Sequence, residues 1–415
     1  MSAPSNAKDA GPPPAGSPPA GPQDAIATSA RYEVGVYARN PITFVRGRGC
    51  ELWDAEGKRY LDFFAGLAVN ALGHCHPAVV DAVQAQVATL LHVSNLYHTE
   101  PTARLARLLC EFSFADRVFL CNSGAEANEA AIKLARRWGA DRGGGRYEIL
   151  ATHGSFHGRT LATLTATGQE KYHQGFQPLL PGIRLVPFGD VTALAEAVRD
   201  ETVAILLEPI QGEGGVVVPD AAYLPAVRRL ADQRGLLLML DEVQCGLGRT
   251  GRLFAHEHAG VVPDVMTLAK ALGGGLPIGA MCATERVAAV FSPGTHGSTF
   301  GGNPVACAAA AATLTRIADP ALLEHVRATG TYLRERLEDL AARQRVITHV
   351  RGLGLMLGAV LDRPGAGIVR RALDRGLLVN CTAETVLRFL PPLVIDTVQI
   401  DEGLAILDEV LADEG

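Results

Sequence analysis

Residues 236–251 read Leu-Leu-Leu-Met-Leu-Asp-Glu-Val-Gln-Cys-Gly-Leu-Gly-Arg-Thr-Gly: five apolar residues without a break, two acids, then a glycine-rich run. A strand with one wet face alternates apolar and polar residues, whereas an unbroken apolar run marks a strand buried on both faces. Similar runs lie at 117–121, 147–151, 183–188, 203–207 and 264–268. Helical patterns separate most of them, as at 126–138 and 221–233. Buried strands alternating with helices predict an α/β fold whose mainly parallel sheet lies between helical layers.

Outside this block the pattern changes. Residues 50–64 read as a hairpin turning at Asp54-Ala-Glu-Gly57, and a helix is expected from His76, with Pro77 in its first turn. Beyond 315 come a long helix (321–344), short strands (349–361, 376–380, 386–390) and a last helix (402–412). Four parts are therefore expected: a disordered Pro/Ala/Gly-rich tail at 1–30, an N-terminal segment of a smaller α+β domain at 31–75, a large domain at 76–314 and the rest of the small domain at 315–415.

Composition narrows the function. Of 415 residues 48% are hydrophobic, ample for a large core, and 45 are glycine, about 11% against a usual ~7%, which suggests many tight turns. Thirty-eight basic residues against 44 acidic give a net charge of −6 spread over the chain, so nucleic acid is not an expected partner. None of the eight cysteines has CxxC spacing, and most sit among apolar neighbours, which fits free thiols in a reducing, cytoplasmic setting. His74-x-His76 and His256-x-His258 lack acidic or cysteine partners at ligand spacing, so no metal is expected. Residues 1–30 hold no arginine and no apolar signal core, and the longest small-apolar stretch, 305–314, is too short to span a bilayer.

Ligands of open parallel sheets bind outside the carboxyl ends of the strands. Those ends carry Asn122-Ser-Gly-Ala125, His153-Gly-Ser-Phe-His-Gly-Arg159, Glu208-Pro-Ile-Gln-Gly-Glu213, Asp241-Glu-Val-Gln244 and Ala269-Lys270. A glycine turn at a helix start, an aromatic with an arginine, two acids and a lysine together suit an anionic aromatic cofactor with a reactive carbonyl. Each has a plainer alternative. Ser123 and Glu126 have the spacing of a capping box as well as of a phosphate-binding helix start. Asp241 fits a solvated strand-end acid, or a buried acid that keeps a pyridine nitrogen protonated. Lys270 fits a surface lysine, yet no other charged residue occurs from 265 to 284, and a desolvated lysine becomes a neutral nucleophile and proton carrier. Gly246-Leu-Gly-Arg-Thr-Gly251 matches GxGxxG, but Asp241 to Cys245 separate it from the strand and no crossover helix is expected after it, so a nicotinamide or flavin site is not expected.

Seven motifs in order, covering the chain from about residue 31, resemble the class III aminotransferases: Ser123-Gly-Ala-Glu-Ala-Asn-Glu-Ala130, Phe156-His-Gly-Arg159, Glu208-Pro-Ile-Gln-Gly-Glu-Gly-Gly215, Asp241 to Gly251, Ala269-Lys-Ala-Leu-Gly-Gly-Gly275, His296-Gly-Ser-Thr-Phe-Gly-Gly-Asn-Pro304 and Leu387-Arg-Phe-Leu-Pro-Pro392. The resemblance implies the fold-type I architecture of pyridoxal 5′-phosphate enzymes. It implies that Lys270 joins the cofactor as a Schiff base and carries the proton, and that Asp241 pairs with the pyridine nitrogen. Phe156 and Val243 would stack on the two faces of the ring, Gln244 would bond its hydroxyl, and Ser123, Gly124, Ala125 and Glu242 would complete the cofactor contacts. Thr299 would reach the phosphate from a neighbouring subunit, making a homodimer with shared sites. Arg159 and Ser298 would touch substrate. Phe300 departs from the tyrosine common at its position.

Asn70-Ala-Leu-Gly-His74 and Asp241-Glu-Val-Gln-Cys-Gly246 are typical of the branch that moves the δ-amino group of N2-acetyl-L-ornithine to 2-oxoglutarate. Such an enzyme must accept a donor whose reacting carbon is far from its α-carboxylate and an acceptor whose reacting carbon adjoins one. Arg388 can clamp that carboxylate and Glu213 can mask the clamp, as in relatives acting on ornithine. Relatives acting on ornithine, succinylornithine, succinyl-diaminopimelate or 4-aminobutyrate remain alternatives, because acyl-group recognition depends on loop shape near 37–40 and 92–98.

Overall fold

The computed structural model describes residues 22–142 and 145–413. Its centre is a seven-stranded sheet: β1 (Arg117–Cys121), β2 (Glu148–Thr152), β3 (Ile183–Val186), β4 (Thr202–Leu207), β5 (Leu237–Asp241), β6 (Val265–Leu268) and β7 (Gly279–Ala283). The order across the sheet is β1-β7-β6-β5-β4-β2-β3. β2 to β6 pair in parallel, while β7 runs antiparallel to both β1 and β6. Two antiparallel pairings in succession restore the direction, so β1 points the same way as β6 and its carboxyl end joins the others at one edge.

The apolar runs are continuous because both faces are covered. Ile149, Ala204, Leu206, Leu237 and Met239 pack with Ile132, Leu134 and Trp138 of the helix Gly124–Asp141. The alternate residues Leu150, Ile205, Leu207, Leu238 and Leu240 pack on the other side with Leu224, Val227 and Leu230 of the helix Tyr223–Arg234. Each such leucine or isoleucine contributes roughly 1.5–3 kcal/mol through burial.

Two smaller sheets complete the molecule. The hairpin strands Glu51–Asp54 and Arg59–Asp62 are joined by Phe44–Arg48 on one side and, in parallel, by Leu377–Leu378 on the other. The first and last parts of the chain thus share a sheet. The second sheet is antiparallel, in the order Ile347–Leu353, Met356–Leu361, Val386–Phe389, Asn380–Thr382. The helices Pro320–Arg343 and Thr397–Ala412 bury Leu333, Leu337, Leu404 and Leu407 in the same core.

Three expectations need correction. β7 was not among the six expected strands, because Gly-Ala-Met-Cys-Ala is built of small residues with weak strand preference. The last helix begins at Thr397, not 402, because Asp396 and Gln399 form a capping box that starts it earlier. The tail expected to be disordered to residue 30 contains the helix Pro22–Tyr32, with proline at its start and Arg31 in its last turn; residues 1–21 lie outside the described ones. No single helix among the described residues is long and apolar enough to cross a membrane.

Candidate active site

The carboxyl edge of the sheet opens into a cavity of about 460 Å³. Ser123, Gly124, Ala125, Phe156, Arg159, Glu213, Asp241, Val243, Gln244 and Lys270 all line it. Five separate strand ends therefore converge as their positions along the sequence suggested.

The helix Gly124–Asp141 starts at the cavity. Ser123 Oγ accepts from Glu126 N–H at 3.2 Å, and the Glu126 carboxylate reaches back to the N–H of Asn122 at 2.9 Å. The capping reading of Ser123 thus holds, and it does not compete with anion binding. The first intrahelical donor is Ala127, so the N–H groups of Gly124 and Ala125 precede the helical ladder at the positive end of the dipole. A Cβ on Gly124 would lie 2.9 Å from Val243 Cγ1, so glycine is what lets the helix start and Val243 approach each other.

Asp241 closes the base of the cavity. Its Oδ2 accepts from Asn128 Nδ2 and pairs with His157 Nδ1, each at 2.7 Å, and its Oδ1 accepts from Val243 N–H at 3.0 Å. Asn128 is held in turn, accepting from Thr267 Oγ1 at 2.7 Å and donating to the carbonyl of His157 at 2.8 Å. Burial works against the His157 imidazolium, but the Asp241 hydrogen bond and charge outweigh it and raise its pKa. Next to this pair Glu208 accepts from the N–H groups of Phe156 (3.0 Å) and Gly212 (3.2 Å), and burial pushes its pKa up to about 7.

Lys270 follows β6 with a left-handed φ of 44°, a strained setting for a residue with a side chain and one expected at a functional site. Burial lowers its pKa, with Arg388 adding to the effect and Glu213 opposing it. Its amine is thus biased toward the neutral, nucleophilic form. Arg159 lies 5.6 Å from the Phe156 ring centre and 4.1 Å from that of Tyr172, so the arginine and the aromatic expected at the ring face are stacked together.

Arg388 does not line the cavity but stands directly behind it, fully buried. Its Nη1 donates to Glu213 Oε1 at 2.6 Å and to Gln244 Oε1 at 3.0 Å, while Nη2 is buried without a partner. Burial raises the Glu213 pKa, yet the Arg388 charge and hydrogen bond win and the carboxyl stays below its usual range.

Three expected residues lie elsewhere. Glu242, expected at the cofactor, faces away from Asp241 and is buried against the N–H groups of Ala255 (2.6 Å) and His256 (2.8 Å) and the His256 ring (2.7 Å). Adjacent residues leaving a strand point to opposite sides, so only one of the two acids can face the cavity. Ser298 Oγ accepts from Asn122 Nδ2 at 3.2 Å and from Gly301 N–H at 2.9 Å, outside the cavity lining. Thr299 lies in a separate surface recess with His92, Asn95 and Phe300. Conversely, Asn128, His157 and Glu208 line the cavity without having been given roles beforehand. His157 and Glu208 stood inside the strand-end motifs, so a search for titratable groups beside Asp241 would have found them. The glycine-rich 246–251 segment runs through turns with no helix after it. Among the histidine pairs, His74 and His256 are each engaged by a carboxylate at 2.7 Å, from Asp62 and Glu242.

Comparison with known proteins agrees with this geometry. The profile of the aminotransferase class-III family matches residues 34–411. An acetylornithine aminotransferase of Caldanaerobacter subterraneus subsp. tengcongensis is 54% identical over 390 residues, covering 94% of this chain and 99% of that protein. Among solved structures, N-acetylornithine aminotransferase from Stenotrophomonas maltophilia is 40% identical with a TM-score of 0.81, covering 94% of this chain and 99% of the other. Ornithine aminotransferase from Toxoplasma gondii ME49 is 35% identical with a TM-score of 0.90, covering 94% and 95%.

Proposed function

The chain belongs to the class-III aminotransferases, and within that family we propose that it transfers the δ-amino group of N2-acetyl-L-ornithine to 2-oxoglutarate, a step of arginine biosynthesis. Pyridoxal 5′-phosphate is the cofactor the cavity fits. The Gly124 and Ala125 N–H groups suit its phosphate, the fixed Asp241 carboxylate suits its ring nitrogen, and Phe156 and Val243 supply apolar faces for the ring. When bound, that cofactor supplies an electron sink for the carbon that loses a proton.

The rest falls to the chain itself. Lys270, biased toward its neutral form, takes the proton from the amino-bearing carbon and returns it elsewhere. Asn128 and His157 hold Asp241 in one orientation and leave the cavity side of the carboxylate defined. Arg388 and Glu213 handle the two substrates in turn. Closed, the pair presents little net charge to a donor that brings no carboxylate near its reacting carbon. Opened, Arg388 makes a charge-assisted contact with the α-carboxylate of glutamate or 2-oxoglutarate. Ornithine as donor is the alternative, given the likeness to the Toxoplasma gondii structure.

The observation that carries this reading is the 2.6 Å Arg388–Glu213 pair beside Lys270, with Nη2 left unpartnered. Glu213→Ala tests it. The variant is expected to slow the N2-acetylornithine half-reaction about tenfold more than the glutamate half-reaction. Equal losses in both would count against the reading. A cytoplasmic homodimer is part of the proposal, with Thr299, which lies outside its own chain's cavity, serving the partner's site.

A further inference from the structure

The strand behind Arg388 carries an inference that rests on the clamp reading above. Asn380 and Arg388 are partners across the antiparallel strands Asn380–Thr382 and Val386–Phe389. Asn380 Oδ1 accepts from Arg388 Nε at 3.1 Å. Two residues on, and so on the same face of the strand, Thr382 donates its hydroxyl to the main-chain carbonyl of Glu213 at 2.6 Å. One short strand therefore grips the clamp by its side chain and the mask by its backbone.

A guanidinium is planar and rigid, so fixing Nε fixes the plane in which both Nη atoms lie. With Nε held by Asn380, a bidentate carboxylate has only the end-on approach through Nη1 and Nη2. Nη1 is committed to Glu213 and Gln244, and Nη2 is buried and free. We infer that Asn380 and Thr382 are the positioning residues of this clamp. Asn380 orients Arg388 so that Nη2 meets an incoming carboxylate while Nη1 is still masked. Thr382 anchors the main chain of Glu213, so that the side chain alone swings when the carboxylate takes Nη1. The dicarboxylate thus opens its own site, one donor at a time.

The test uses holoenzyme and glutarate, a dicarboxylate with no reacting carbonyl, titrated through the absorbance of the bound cofactor. Asn380→Ala is expected to raise the glutarate dissociation constant about tenfold, the worth of a hydrogen bond to a charged group, and by several-fold more than it slows the N2-acetylornithine half-reaction. Thr382→Val keeps the shape and loses the hydroxyl. It is expected to act in the opposite sense, tightening glutarate and slowing the donor half-reaction, because the mask is loosened. If Asn380→Ala does not fold, Asn380→Asp keeps the size and is expected to weaken glutarate at least as much, by neutralising Arg388. Parallel losses on both sides from either variant overturn the inference. Arg388→Ala separates the two levels: glutarate binding that survives it sinks the clamp reading itself. Binding lost in Arg388→Ala but unweakened in Asn380→Ala sinks only the roles given to the strand.

Discussion

Glu208 shows how one residue's surroundings set its chemistry. Its carboxylate accepts two backbone N–H groups, and burial outweighs them and the nearby His157 charge, lifting the pKa from 4.5 to about 7. The native protein therefore holds a proton that the unfolded chain has released above pH 4.5. Stability from this group is complete below pH 4.5 and is lost as the pH rises through about 7. The raised pKa of His157 acts in the same direction. Cofactor-free protein is thus expected to lose more stability than Glu208→Gln between pH 5 and 8, by on the order of 3 kcal/mol in thermal or denaturant unfolding. Parallel pH profiles for the two would contradict the burial account. Lys270→Ala makes the companion prediction: cofactor uptake measured by absorbance persists, while turnover falls by at least about 10²-fold, the usual contribution of a positioned proton carrier. Asp241 and Lys270 were legible in sequence because each stands alone after an apolar run. Glu242 was misplaced because sequence does not say which of two adjacent acids turns inward at a strand end.

At the scale of elements, β7 is the piece sequence patterning passed over, and much depends on it. It carries β1 back into the common direction, and so brings Ser123, Gly124 and Ala125 to the edge where Asp241 and Lys270 lie. Its first residue abuts the helix start: a Cβ on Gly279 would fall 2.3 Å from the Ser123 carbonyl. Gly279→Ala is therefore expected to push the helix start outward, cost about 1–3 kcal/mol in unfolding, and weaken cofactor binding when titrated by absorbance. Unchanged cofactor affinity would mean that the helix start does not hold the phosphate. The parallel strands were legible because burial on both faces leaves an unbroken apolar run, a signal that needs no knowledge of neighbours. β7 is just as buried, but alanine, glycine and cysteine fill a tight space without leaving that signal.

At the scale of the whole molecule, the single chain leaves apolar surface uncovered next to the recess that holds Thr299. Leu96 is 86% exposed, Tyr97 71% and Phe300 60%. Large apolar side chains exposed together mark an association surface, and the proposed homodimer covers it. Leu96→Glu is expected to give monomers by light scattering and to lose transaminase activity, because Thr299 no longer reaches a partner's cavity. A fully active monomer would remove the shared-site part of the account. The dimer was legible only through family resemblance, since the exposure of a leucine is a property of the fold and not of its neighbours in sequence. Donor choice belongs to this scale too, because loops from distant parts of the chain shape the cavity mouth.

The most direct test mixes purified holoenzyme, in separate stopped-flow runs, with N2-acetylornithine, ornithine, succinylornithine and 4-aminobutyrate, and follows the loss of cofactor absorbance. The account predicts that N2-acetylornithine bleaches the enzyme fastest. Faster bleaching by ornithine or 4-aminobutyrate would contradict it, leaving the fold and the Lys270 chemistry in place but assigning the enzyme a different amine donor.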